Sequence, residues 1–156
     1  CIGRIVARLP AIITGQTEET ERRVAEYTEQ MSIAFQIGDD ILDIEHTLDQ
    51  AGEFGKEFGN DIREGKKTLM AIHAAEHAPP DEVARLEEIL WAEDNTDDEI
   101  MEAIDIYQSA GSIEYARGRA EKLARQAKES LPEEELDPEV AQRLSAFTRF
   151  VIEREK

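Results

Sequence analysis

Two segments of this sequence bring together side chains that could do chemistry. The first is Phe35-Gln36-Ile37-Gly38-Asp39-Asp40-Ile41-Leu42-Asp43. At about 100° per helical residue, Gln36, Asp39, Asp40 and Asp43 fall within an arc of roughly 100°, opposite an apolar stripe. Three carboxylates converging there repel one another by roughly a few tenths of a kcal/mol per pair, and a cation relieves them. Hard divalent ions suit such a set, Mg2+ above all, with carboxylates on one side of the ion and phosphate oxygens on the other. The same triplet also reads as a solvated acidic face in a protein rich in acids.

The second segment, Gly55-Lys56-Glu57-Phe58-Gly59-Asn60-Asp61-Ile62-Arg63-Glu64-Gly65-Lys66-Lys67-Thr68, holds Lys56, Lys66 and Lys67, half of the chain's lysines, within positions 56–68. Its glycines allow tight turns and close approach of a ligand, and ammonium groups placed there could contact diphosphate oxygens directly. It also reads as a connection whose lysines balance local acids. It is not a P-loop, because Lys67 stands where Ser or Thr should follow Lys66 and no strand precedes it. Taken together, an acidic triplet followed by paired cations is the chemistry needed to hold a diphosphate and draw it off as a leaving group.

The elements that must position these groups are helices. Thr17 with Glu18 and Glu19 is an N-cap with acids at the positive end of a helix dipole. The stripe Val24, Tyr27, Met31, Ala34, Phe35, Gly38, Ile41 and Leu42 predicts one long helix to about Leu48. A helix cut by Gly15 precedes it, over residues 1–14. After the glycine-rich stretch, Leu69, Ile72 and Ala75 predict a helix over 68–77, stopped by Pro79-Pro80. The next carries Val83, Leu86, Ile89, Leu90 and Trp91. Thr96 and Glu99 form a capping box opening a helix with Ile100, Ala103, Ile104 and Tyr107, which ends at Gly111. Ser112 caps another, with Ala116, Ala120, Leu123, Ala124 and Ala127 inward. Asp137-Pro138 opens the last, with Val140, Leu144, Phe147, Phe150 and Val151 as its buried face. Trp91 and Tyr107 read as core residues, and His73 and His77 as an exposed helical pair. No alternating strand and no internal repeat is visible, so the expectation is an all-α domain over 1–156 with seven helices.

Composition narrows the class. With 36 acidic and 18 basic residues among 156, the net charge is -18, which disfavours a nucleic-acid binder. Such self-repulsion is screened by salt, so a salt-rich cytoplasm is one reading of the acidity. A lone Cys1 can form no internal disulfide, and no apolar run reaches the length of a membrane span, so a cytoplasmic protein is the expectation.

Read together, the two motifs resemble those of the trans-prenyltransferases, the polyprenyl diphosphate synthases of the geranylgeranyl and farnesyl type. Phe35-Gln36-x-x-Asp39-Asp40-Ile41-Leu42-Asp43 is similar to that family's second aspartate-rich motif, and Gly55-Lys56-x-x-Gly59-x-Asp61-x-x-x-Gly65-Lys66 to the lysine loop that follows it. The likeness is strongest over residues 5–75 and includes Ala7-Arg8-Leu9 and Lys67-Thr68-Leu69. It implies an all-α bundle of the isoprenoid synthase type, usually a homodimer, that condenses isopentenyl diphosphate with an allylic diphosphate. By the same resemblance Asp39 is a direct Mg2+ ligand, Asp40 and Asp43 support it directly or through water, and Asp61 holds metal-bound water. Lys56 and Lys66 contact the allylic diphosphate, and Gln36 faces the reaction cavity near the developing cation.

The family's first aspartate-rich motif, its Lys-Thr pair and its N-terminal basic residues have no counterpart in this sequence. Asp94, Asp97 and Asp98 offer only a superficial substitute, since they belong to the capped start of a helix. The expectation is therefore the carboxy-terminal half of a synthase, inactive by itself, with product length unreadable. Two other readings compete: a non-catalytic helical partner subunit of a complete prenyl synthase, and a diphosphate-ionising enzyme of the terpene cyclase kind, which does not generally combine these two motifs.

Overall fold

The long apolar stripe dictates a long helix, and the computed structural model, which describes residues 15, 17–49 and 59–154, contains α1 over Glu18–Asp49. Thr17 Oγ1 accepts the Thr20 amide at 3.1 Å, and Glu18, Glu19 and Glu21 fill the first turn, where the helix dipole favours negative charge. Six α-helices follow: α2 (Asn60–Arg63), α3 (Leu69–His77), α4 (Pro80–Trp91), α5 (Asp97–Ser109), α6 (Ser112–Ser130) and α7 (Pro138–Arg154), with a 3-10 turn at Glu133–Glu135. No strand occurs among the described residues. The helix expected over residues 1–14 and Lys56 lie outside them. The short α2 was not expected, because four residues are too few to show a helical period.

Chain contacts divide the protein into two compact units, residues 1–38 with 119–156, and residues 39–118. In the first unit, Tyr27, Met31 and Ala34 of α1 pack with Ala124 and Ala127 of α6, with Leu131, and with Val151 of α7. Burial of a side chain the size of Met31 or Val151 contributes about 2 kcal/mol. A buried tyrosine needs a partner for its hydroxyl, and Tyr27 Oη donates to the Leu144 carbonyl at 2.8 Å and lies 3.1 Å from Thr148 Oγ1. The last carbonyls of α6 lack intrahelical donors. Arg23 supplies them, with Nε 3.2 Å from the Ser130 oxygen and Nη2 3.2 Å from the Leu131 oxygen.

The buried face of α7 differs from the expected one. Leu144 and Val151 turn inward with Ala141 and Thr148, whereas Val140, Phe147 and Phe150 are exposed. The Tyr27 hydroxyl, placed against Leu144 and Thr148, fixes the rotation of the helix, and a wheel of apolar residues does not contain that information.

In the second unit the core is built from Ile41 and Ile44 of α1, Ile62, Met70, Ala71, Ala74, Leu86, Ile89, and Ile100, Ala103, Ile104 and Tyr107 of α5. The Thr96 and Glu99 capping box forms as expected: Thr96 Oγ1 accepts the Glu99 amide at 3.3 Å, and the Glu99 carboxylate accepts the Thr96 amide at 3.0 Å. Tyr107 is buried as expected, but Trp91, at the last position of α4, is 71% exposed. In α3 the inward residues are Met70, Ala71 and Ala74, while Ile72 and Ala75 face outward. That helix is apolar on most sides, so its neighbours rather than its own period choose the face.

His73 is more embedded than an exposed pair would be. Its ring stacks on His77 with centroids 4.0 Å apart and on Tyr115 at 4.2 Å, and its Nδ1 lies 3.0 Å from Ser112 Oγ. Burial, then the neighbouring His77, hold its pKa below the ordinary 6.5 against the opposing charge of Glu76. The folded chain is thus the poorer proton binder at this site. The stability His73 contributes is complete above the ordinary value and is lost as pH falls through the lowered one. Melting temperature should therefore fall between about pH 7.5 and about pH 5 by more in the native chain than in His73→Asn, which keeps a partner for Ser112 but does not titrate. Equal falls in the two proteins would remove His73 from the account.

Candidate active site

The site is assembled by one helix and the turn that returns to it. On α1, Asp40 is buried at 7% exposure and Asp39 and Asp43 are half-buried, one helical turn apart. One turn further on, Thr47 is buried, and its hydroxyl donates to the Asp43 carbonyl at 2.7 Å while accepting the Gly59 amide at 3.0 Å. Asp43 Oδ2 accepts the amide of Asp61 at 3.2 Å. Asp43 and Thr47, four residues apart on one face, thus clasp the start of α2. Gly59 stands there at φ 62°, where a Cβ would meet Ile100 Cγ2 at 2.2 Å, so glycine is required both by backbone and by space.

After α2 the chain reverses at Gly65, also at φ 62°. The Gly65 amide donates to the Ile62 carbonyl at 3.0 Å and the Lys66 amide to the Asp61 carbonyl at 2.9 Å. This turn sends the Lys66 side chain back over the acids. Its Nζ lies 2.8 Å from Asp40 Oδ1 and 2.8 Å from Asp61 Oδ2. Partial burial works against the charge on Lys66, but the hydrogen bonds and charges of Asp40 and Asp61 more than offset it and raise the pKa. At Asp43, burial raises the carboxyl pKa. The Asp61 amide opposes the shift, the Asp61 charge adds to it, Lys66 opposes it and Asp40 adds to it.

Beneath the site, Thr68 caps α3 by accepting the Ala71 amide at 3.2 Å, and its side chain is hydrogen-bonded to Tyr107. Burial, then the charge of Asp61, raise the Tyr107 pKa, so this hydroxyl stays protonated. Arg63, another cation of the turn, donates to the Asn95 carbonyl and pairs with Asp97. These contacts tie it to the N-terminus of α5.

Of the residues expected from the sequence, Asp40, Asp43, Asp61 and Lys66 are therefore brought into direct contact. Asp39 lies on the same stretch of α1, Gln36 is exposed on the part of α1 in the first unit, and Lys56 lies outside the described residues. Thr47 and Tyr107 were not foreseen as parts of the site. Thr47 had a weak signal, standing four residues after Asp43, while Tyr107 had none, being 46 positions from Asp61.

Among the described residues, no three His, Cys, Asp or Glu side chains are gathered as a metal-ligand set. The donor chemistry nonetheless fits a hard cation: two carboxylates, Asp40 and Asp61, already share one positive charge, that of Lys66. Two protein oxygens leave most of a divalent ion's coordination sphere to water or phosphate, as Mg2+ prefers.

Comparison with known proteins places the chain in a family. Over 107 residues the chain is 41% identical to a short chain isoprenyl diphosphate synthase from Methanocaldococcus jannaschii, covering 69% of this chain and 31% of the relative. Over 145 residues it is 36% identical to a synthase of the same description from Methanothermobacter thermautotrophicus, covering 93% and 43%. The chain thus spans less than half the length of the curated relatives it matches. A solved decaprenyl diphosphate synthase from Rhodobacter capsulatus superimposes with a TM-score of 0.84 at 28% identity, over 99% of this chain and 46% of that one. The all-α architecture is accordingly that of the isoprenoid synthases. The family model described as polyprenyl synthetase matches residues 2–107, which include the whole of the acid and lysine site, and the chain belongs to that family.

Proposed function

We propose that this chain forms one wall of a prenyltransferase active site that condenses isopentenyl diphosphate with an allylic diphosphate, in isoprenoid biosynthesis of the geranylgeranyl or farnesyl type. The observation that carries the reading is the contact of Lys66 with Asp40 and Asp61. It joins the two sequence motifs into a site with both acceptors for a metal ion and donors for a diphosphate. Asp39, Asp40 and Asp43, with Asp61 alongside, would hold Mg2+, whose chemistry when bound is to neutralise charge on the departing diphosphate. Lys56 and Lys66 would donate to the diphosphate oxygens. A partly buried, hydrogen-bonded cation stabilises developing anionic charge more strongly than a fully hydrated one, because less reorganisation is needed. Gln36 would lie toward the allylic carbons. The working protein would be a cytoplasmic homodimer. Among the described residues, no helix is long and apolar enough to cross a membrane.

Isothermal titration tests the reading. Mg2+ alone should bind weakly, and more tightly when a non-hydrolysable allylic diphosphate is present, because the ligand supplies oxygens that these carboxylates lack. Asp39→Ala should lose most of that gain. Equal affinity in the variant would sink the assignment of Asp39.

A further inference from the structure

Away from the acids and lysines, two metal-ligating side chains meet on α3, where His73 and His77 stand one helical turn apart. Their rings stack nearly parallel, at 10° with centroids 4.0 Å apart, and both belong to the unit formed by residues 39–118. Each ring is anchored through its Nδ1. His77 Nδ1 lies 2.9 Å from the His73 carbonyl oxygen, and because a carbonyl only accepts, this nitrogen carries the proton. The neutral His77 ring therefore presents a bare lone pair at Nε2. His73 Nδ1 lies 3.0 Å from Ser112 Oγ, a fully buried hydroxyl that can accept a proton in the same way. Neither Nε2 makes a hydrogen bond among the described residues.

We propose that His73 and His77 form a site for a borderline divalent transition-metal ion of the Zn2+ class, held through the two Nε2 atoms and distinct in donor chemistry from the carboxylates of Asp40 and Asp61. Imidazole nitrogen suits such ions, whereas Mg2+ takes oxygen. A histidine that ligates a metal donates its other ring N–H to a carbonyl or similar acceptor, which fixes the ring and leaves Nε2 for the ion. His77 does this to the His73 carbonyl, and His73 is placed to do it to Ser112. The spacing fits as well. Two nitrogens bound to one tetrahedral ion stand roughly 3–4 Å apart, the order of the 4.0 Å between the rings. His77 is the exposed ring, free to tilt toward the ion, while His73 is half-buried between it and Tyr115. Burial, then His77, lower the His73 pKa and keep that ring in the neutral form that binds metal. No third His, Cys, Asp or Glu side chain is gathered there among the described residues, so water completes the coordination sphere.

Two consequences separate this site from a surface histidine. A lone exposed imidazole such as His46 holds zinc through one contact, whereas a second nitrogen on the same helix face makes the second contact intramolecular and strengthens binding by about tenfold or more. Further, His73 is fastened to the start of α6 by Ser112 and Tyr115, so an ion shared with His77 would tie the last turn of α3 to the same point. A ligand that binds only the folded chain raises its stability, and zinc should therefore raise the melting temperature.

The experiment is calorimetric titration of the 156-residue chain with Zn2+ in an excess of Mg2+, which occupies hard carboxylate sites, and with Cys1→Ser in every protein so that the chain's single thiol does not compete. His77→Ala and His73→Asn should each bind zinc at least about tenfold more weakly, while His46→Ala, which removes the third histidine, should change the affinity by less than about threefold. His77→Ala puts a strong helix former at an exposed position and so keeps α3 intact. Nitrogen-15 spectra of the histidines give a second readout that needs no histidine variant: zinc should shift the Nε2 resonances of His73 and His77 together and leave those of His46 in place. Melting temperature should rise with zinc in the chain that keeps both histidines and not in His77→Ala. No binding, equal affinity with and without His77, a loss as large in His46→Ala, or a shift confined to one ring of the pair overturns the site. None of these results touches the reading of Asp40, Asp61 and Lys66, which rests on Mg2+ and diphosphate.

Discussion

Given labelled isopentenyl diphosphate and an allylic diphosphate, the 156-residue chain alone is expected to form extended products at least about a thousandfold more slowly than a full-length synthase such as the Methanocaldococcus relative. Ionising an allylic diphosphate leaves a multiply charged anion, and its stabilisation draws on metal ions and cations arranged around it. Here the acids come from one stretch of α1 and from Asp61, and no further aspartate-rich motif stands in the sequence to oppose them. The nearest substitute is committed elsewhere: Asp97 pairs with Arg63, and Thr96 with Glu99 closes a capping box around the same turn. Ions held from one side lose part of their transition-state contacts, and a loss of about 4 kcal/mol alone slows a reaction by about a thousandfold. Turnover by this chain within about tenfold of the relative's would show that one wall suffices.

Gly65→Ala should be far more damaging than the same methyl added at Gly111. At φ 62° an alanine already carries about 1–2 kcal/mol of backbone strain. The added Cβ would also lie 2.3 Å from the Leu90 carbonyl oxygen, which is backbone and cannot swing aside as a side chain can. Overpacking of that kind costs about 1–3 kcal/mol more. The sum is about 3 kcal/mol, a fall of about 12–24 °C in the melting of the unit formed by residues 39–118. Because the Lys66 amide is bonded to Asp61 across this turn, the same change should loosen the contact of Lys66 with Asp40 and weaken the gain in Mg2+ affinity given by a diphosphate. Gly111→Ala isolates the backbone part: its φ is 67°, but an added Cβ meets nothing within 4 Å. It should cost about 1–2 kcal/mol. Thermal melts showing Gly65→Ala to be no worse than Gly111→Ala would refute the close approach at Leu90.

The division between the two kinds of information follows range. Thr96 and Glu99, three residues apart, could be read as a capping box because both groups act on the same helical turn, and the box is there. Asp137-Pro138 was legible as a helix start for the same reason, with Asp137 Oδ1 accepting the Glu139 amide at 2.9 Å. The stripe from Val24 to Leu42 gave α1, since many turns of one period outweigh local ambiguity. The motif residues Asp40, Asp43, Asp61 and Lys66 were also visible, because their types and order carry the chemistry.

What the sequence could not specify were choices made between distant segments. The inward faces of α3 and α7 depended on which neighbours they met, so Ile72, Phe147 and Phe150 turned out and Ala74 and Thr148 turned in. Trp91 lost its expected place in the core because it sits on the last turn of α4, where the helix ends before its ring is covered. Above all, the sequence placed two lysines and four acids in order but not which would touch. Asp40 and Lys66 are 26 positions apart, and their contact exists because Asp43 and Thr47 clasp the start of α2 and Gly65 reverses the chain behind it. Residue type and helical period are local and survive in one dimension. Helix rotation and charge pairing are set by packing across the fold, where one hydroxyl or one carbonyl decides between faces of nearly equal hydrophobicity.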